Sequence, residues 1–284
     1  MTPYTERDVA DFFDQTLGHY LGFWDSSGVL HTGVFAADDP AGDTDYQAAA
    51  ERTSALLARH AGIDGTCHVL DVGCGCGNFV MYLAERYGCR AEGVDLSEER
   101  VKFAQRRLDE NGGVYQDRVA FRHGSATQLP YPSDTFSHVV SQDALFLVPD
   151  KPRSHTEILR VLRPGGVFAC TDFLQPAERI SQLAREHVYD RVRWSGGYSL
   201  AGYQDALASA GFEVVSAEDL ERHIRQTYQV LGSTARERAG SAAEAAAREW
   251  MLAFAESCSH IRDAIDRGEF GWGLIVARKP GGTP

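Results

Sequence analysis

The chain has 284 residues and carries 28 Lys and Arg against 40 Asp and Glu, a net charge of −12. No basic cluster interrupts the acidic balance, which argues against a nucleic-acid groove, and no apolar run approaches the length of a membrane span. Hydrophobic residues make up 43%, enough for a sizeable core in one large domain with a lid.

The start, Met1-Thr2-Pro3-Tyr4-Thr5-Glu6-Arg7-Asp8, is polar and lacks the apolar segment of a signal peptide. A cytoplasmic protein with reduced thiols is the expectation. Cys67, Cys74, Cys76, Cys89, Cys170 and Cys258 are not at zinc spacings. Cys74 and Cys76 read as small residues in a crowded turn rather than a metal pair, so no metal site is expected.

Apolar spacing at Val9, Phe12, Phe13, Leu17, Tyr20 and Leu21 predicts a helix over 6–23. The next stretch, from Trp24 through His31 to Phe35, is loop-like. Residues 37–45 are acidic and rich in breakers, a surface loop without the ligand spacing of a calcium loop. Residues 1–45 together read as a helical cap, and self-association through its helix stays open. An amphipathic helix over 46–61 begins the core, read as residues 46–175.

Val69, Leu70, Asp71 and Val72 form an apolar run that ends in Gly73, Gly75 and Gly77, and Phe79, Val80 and Leu83 follow at helical spacing. This predicts a buried strand, a tight turn and a helix N-terminus whose amides face a ligand. The spacing is G-x-G-x-G with Asn78 next, so the dinucleotide pattern G-x-G-x-x-G is not met. Asp71 puts a carboxylate at the mouth of the strand, which suits a cationic ligand better than a pyrophosphate. S-adenosylmethionine, with its sulfonium and ammonium, fits. About twenty residues on, a second short strand ends in Asp95, where an acidic side chain is placed for both ribose hydroxyls of an adenosine. Ser97 then reads as the N-cap of a helix over 97–110.

Further strands are predicted over 118–122, 135–144, 167–173, 213–217 and 271–279. A short helix over 156–162 is stopped by Pro164-Gly165-Gly166. An insert over 176–200 reads as a lid whose aromatics can face the substrate. A helix follows over 199–210, and the C-terminal part, 201–284, carries a helical insertion over 222–267 that Gly240-Ser241 breaks in two.

Residues 69–78, residues 93–97 and Leu162-Arg163-Pro164-Gly165-Gly166 resemble the signature blocks of class I S-adenosylmethionine-dependent methyltransferases. The likeness covers about residues 15 to 280. It points to the sarcosine/dimethylglycine N-methyltransferases, the ubiquinone/menaquinone-pathway enzymes and the antibiotic sugar O-methyltransferases. It implies a doubly wound α/β fold with a seven-stranded, mostly parallel sheet, its last strand antiparallel, an N-terminal helical cap and helical lid insertions. By the same resemblance Tyr20, Trp24 and His31 line the pocket; for the aromatics the alternative is plain packing. Leu96, Ala126 and Gln142 join Asp71, the three glycines and Asp95 as cofactor contacts. The family usually has an acid at position 125 that meets the adenine amino group; Ser125 replaces it here. Several relatives carry a histidine where this chain has Phe146 and Leu147, so the most convenient base is missing. Asp143, Asp172 and His31 remain as catalytic candidates. The two aspartates have helix capping as their alternative.

Methyl transfer from a sulfonium to an acceptor is an in-line displacement, so alignment and exclusion of water dominate. Without the histidine, a nitrogen or carbon acceptor is slightly favoured over oxygen. The expected substrate is a small, apolar or aromatic metabolite of specialised, natural-product metabolism. The other readings are a nicotinamide-dependent oxidoreductase, against which the early third glycine argues, and a non-catalytic S-adenosylmethionine-binding protein.

Overall fold

The computed structural model describes residues 3–23, 31–36, 44–112, 114–115, 117–242 and 244–281. Trp24 and the side chain of Tyr20 lie outside the described residues. The chain runs α1 (Glu6–Phe23), α2 (Tyr46–Ala61), β1 (His68–Val72), α3 (Asn78–Tyr87), β2 (Arg90–Asp95), α4 (Glu98–Glu110), β3 (Val119–His123), β4 (Phe136–Gln142), α5 (Lys151–Val161) and β5 (Leu162–Leu174). It continues through α6 (Gln182–Ala184), prolonged by irregular turns to Val192, then α7 (Leu200–Ser209), β6 (Glu213–Asp219), α8 (Glu221–Ser241), α9 (Ala245–Asp266) and β7 (Gly271–Arg278).

One seven-stranded sheet has the order β3-β2-β1-β4-β5-β7-β6. β1 to β5 pair in parallel, and β7 is antiparallel to both β5 and β6. The strand order reverses between β1 and β4, which opens a crevice at their carboxyl ends. β1 is buried at Val69–Val72 because helices cover both faces, so its pattern is continuous rather than alternating. One apolar cluster joins Leu57, Val80, Leu83, Leu108 and Ile261; the other packs Ile158, Val161 and Leu207 on Phe136 and Phe168.

The helix starts follow their caps. Asp45 accepts from Ala48 N, Ser97 from Arg100 N, and Ser199 from Gly202 N; each such cap is worth about 1 kcal/mol. Three expectations need correction. α5 begins at Lys151 rather than 156, because Asp150 caps it by accepting from Arg153 N and Pro152 fits the first turn. β5 begins at Leu162 rather than 167, so Pro164, Gly165 and Gly166, just past the end of α5 at Val161, already lie inside the strand. The aromatics of the 176–200 insert do not turn outward: Tyr189 and Trp194 are fully buried, stacked with ring centroids 4.3 Å apart. Their apolar area is better removed from water than offered to a passing ligand. Among the described residues no helix is long and apolar enough to cross a membrane, and all six cysteines are buried free thiols.

Candidate active site

A cavity of ≈ 210 Å³ lies at the carboxyl ends of β1, β2 and β4, roofed by α1 and by the turn Asp190–Val192. Asp71, Gly73, Gly75, Asp95, Leu96, Ser125, Ala126, Gln142, Asp143 and His31 all line it. Gly77 sits just behind, as the N-cap of α3, with Cys76 and Asn78 on the wall. The sheet thus gathers residues from four separate loops into one chamber.

Gly73 and Gly77 have φ of +80° and +79°, the left-handed region where a side chain is strained. A Cβ on Gly73 would stand 2.3 Å from that of Ala144, and one on Gly77 would stand 2.5 Å from the Phe121 ring. The loop's amides, however, are engaged within the protein. Gly73 N donates to Val94 O at 2.8 Å, Gly75 N to Asp95 Oδ2 at 2.7 Å and Gly77 N to Cys74 O at 2.9 Å. The glycines therefore supply room rather than donors.

Asp95 accepts from Gly75 N on one oxygen and from Ser97 N, at 2.8 Å, on the other. A carboxylate has about four acceptor positions, so both oxygens keep capacity toward the cavity. Asp71 is only 2% exposed and its Oδ1 meets no hydrogen-bond donor. Burial, and then the nearby Asp95, push its carboxyl up to about 8. An unpaired acceptor lining the chamber is what an ammonium group would satisfy.

Asp143 is held at φ +49° on three donors: Thr32 N at 2.7 Å, Thr171 Oγ1 at 2.8 Å and Trp272 Nε1 at 2.6 Å. The next turn, Leu145–Leu147, starts without a side-chain cap, so capping is not its role. Gln142 donates to Ser54 Oγ at 3.3 Å. His31 approaches Thr32 O through Nδ1 at 3.3 Å, and its carbonyl accepts from Tyr46 OH at 2.8 Å.

Asp172 is the candidate the structure does not bring to the chamber. It is 1% exposed and absent from the lining. Its oxygens accept from Phe146 N and from Tyr203 OH, both at 3.0 Å. Burial raises its carboxyl, and burial lowers the neighbouring Lys151 ammonium. Lys151 donates to Val148 O and Gly196 O. The pair braces the wall of the pocket from behind. The position at the end of β5 was visible in the sequence, but the side chain's inward direction was not.

Several lining residues escaped the sequence reading. Glu6, Val9, Ala10 and Phe13 come from α1, and Arg100 from α4. Glu6 accepts from Ser125 Oγ at 2.6 Å and Thr127 Oγ1 at 2.9 Å, delivering a carboxylate where position 125 lacks one. Ser97 Oγ also donates to Asp14 of α1. For Arg100 a signal existed: Arg100, Ala104 and Leu108 are four residues apart and form the buried stripe of α4.

Residues 70–170 match a methyltransferase-domain family. The 27-O-demethylrifamycin SV methyltransferase of Amycolatopsis mediterranei is 31% identical over 280 residues, 95% of this chain and 94% of that one. The chain belongs to the S-adenosylmethionine-dependent methyltransferases. The sarcosine/dimethylglycine N-methyltransferase of Halorhodospira halochloris is 30% identical over 88% of both chains. A geranyl diphosphate methyltransferase solved in complex with S-adenosylmethionine shares the fold, with a TM-score of 0.70 and 21% identity over 88% of this chain and 98% of that one.

The methyltransferase's cofactor is therefore S-adenosylmethionine, and its chamber fits: a bare loop, an unpaired buried carboxylate oxygen and a second carboxylate with acceptor capacity left. Asp95→Ala is expected to weaken S-adenosylhomocysteine binding by at least about tenfold, read by calorimetry; unchanged affinity would remove Asp95 from the site.

Proposed function

We propose that this methyltransferase acts on a small, largely apolar or aromatic metabolite of specialised biosynthesis, at nitrogen or carbon rather than oxygen. The observation that carries this reading is the far end of the chamber. It is walled by Leu145, Phe146, Leu147, Phe173 and Val192, with Arg191 and Tyr228 as polar groups beside them. Such a wall excludes water and favours an apolar body. When bound, S-adenosylmethionine supplies a methyl group already activated by its sulfonium. Asp95 would hold the ribose hydroxyls and Asp71 the ammonium. The apolar wall would orient the acceptor, and alignment of this kind lowers barriers by roughly 7 to 11 kcal/mol.

Bases are scarce at that end. Asp172 faces away, and Asp143 already receives three donors. A neutral amine or an electron-rich carbon needs little proton removal before attack. A second reading, O-methylation, draws on His31 and on the O-methylating relative from Amycolatopsis mediterranei. His31, whose Nδ1 stands beside Thr32 O in the chamber lining, would take the hydroxyl proton through its ring.

The test offers amine, enolisable-carbon and phenol or alcohol acceptors with methyl-labelled cofactor and identifies the product by mass spectrometry. For an N- or C-acceptor, His31→Asn is expected to keep turnover within about tenfold. For an O-acceptor it is expected to fall by roughly 10²- to 10⁴-fold, with the acidic limb of the pH profile lost. Transfer confined to strongly hydrophilic acceptors would overturn the apolar-substrate reading.

A further inference from the structure

We propose that Arg100 binds the cofactor, closing a clamp on the ribose diol from the side opposite Asp95. Arg100 is 7% exposed and lines the chamber. Neither its Nε nor its Nη2 meets an acceptor on the protein. Its guanidinium lies over the Phe13 ring at 4.3 Å, which fixes the plane of the group. A guanidinium stays charged under all working conditions, and buried N–H donors without acceptors are costly. A ligand oxygen in the chamber relieves that cost.

The position selects which oxygen. Arg100 Nη1 stands 3.5 Å from the place a Cβ on Gly75 would take, and Gly75 N is the group that donates to Asp95. Arg100 and Asp95 thus converge on one glycine. A vicinal diol is both donor and acceptor. Its hydroxyl hydrogens suit the acceptor capacity left on Asp95, and its oxygens then need donors, which Arg100 holds ready. The carboxylate of the amino-acid end is the competing partner, and ligand fragments separate the two.

The inference rests on the assignment of Asp95 to the ribose, whose own failure would appear separately as unchanged affinity of Asp95→Ala. The experiment compares wild type with Arg100→Met, which keeps an unbranched side chain over Phe13. Calorimetry is run with S-adenosylhomocysteine, with 5′-methylthioadenosine, which lacks the amino-acid end, and with 2′-deoxy-S-adenosylhomocysteine. The expected result is a loss of about 10- to 100-fold for both S-adenosylhomocysteine and methylthioadenosine. Discrimination against the 2′-deoxy ligand is expected in wild type and reduced in the variant, where Asp95 alone still reads the hydroxyl. A loss confined to S-adenosylhomocysteine would assign Arg100 to the carboxylate and overturn the proposal, as would discrimination undiminished from wild type or unchanged affinity. Thermal unfolding without ligand checks the fold. Should Arg100→Met not fold, Arg100→Leu carries the same comparison, again without a donor.

Discussion

Asp71→Asn is expected to weaken S-adenosylhomocysteine binding by roughly 10- to 100-fold at pH 8 and to abolish its pH dependence. The reason is the state of the carboxyl before the ligand arrives. Burial and Asp95 hold it at about 8, so at pH 7 the ligand-free group is mostly protonated. Pairing with an ammonium requires the charged form. Binding below pH 8 therefore releases a proton, and affinity should rise up to tenfold per pH unit between pH 6 and 8, about 1.4 kcal/mol each. Calorimetry in buffers of different ionisation enthalpy counts that proton directly.

The same shift acts on stability with the opposite sign. A carboxyl raised above its unfolded value near 4 gives a contribution fully present below that pH. The contribution is lost as pH rises through about 8. Ligand-free wild type should lose thermal stability across that window relative to Asp71→Asn, and bound ligand should flatten the difference. Proton release equal in wild type and variant would show that Asp71 does not meet the ligand.

The second large effect is expected from Gly73→Ala. The new Cβ would land 2.3 Å from the Ala144 Cβ, at a φ of +80°. Overpacking and left-handed strain together cost about 2–4 kcal/mol. The loop and the turn after Gln142 cannot both keep their places, so cofactor affinity should fall with stability. Ala144→Gly in the same chain removes the collision but not the backbone strain. Recovery of about half the loss in chemical denaturation is the expected coupling. A single variant with unaltered midpoint and affinity would mean that the loop has slack the packing does not show.

Much of this was legible in the sequence because two periodicities carry it. The change from the apolar run at Val69–Val72 to helical spacing after Gly77 marked the central unit. Asp95 twenty residues on marked its partner strand. Both signals are local, and local signals survive without an alignment. The roof was not legible in the same way. Glu6 and Ser125 are 119 positions apart, and nothing in either segment names the other. Asp172 shows the reverse problem. Its strand was placed correctly, but a strand alternates its side chains, and the face that each one takes depends on neighbours such as Tyr203. Arg100 was hidden by its charge: a cation on a buried stripe reads as solvent-facing until the ring of Phe13 is seen beneath it.

Asp143 has a consequence for any shortened form of this protein. Thr32, Thr171 and Trp272 tie a pre-core segment and two inner strands to a single carboxylate at the chamber's edge. A chain begun at Tyr46 would retain all seven strands, yet the anchor would lose a backbone N–H and the chamber the part of its roof that α1 provides. Helix α1 and the Thr32 segment are thus part of the machine, and trimming them to obtain a tidier domain would leave the chamber half open.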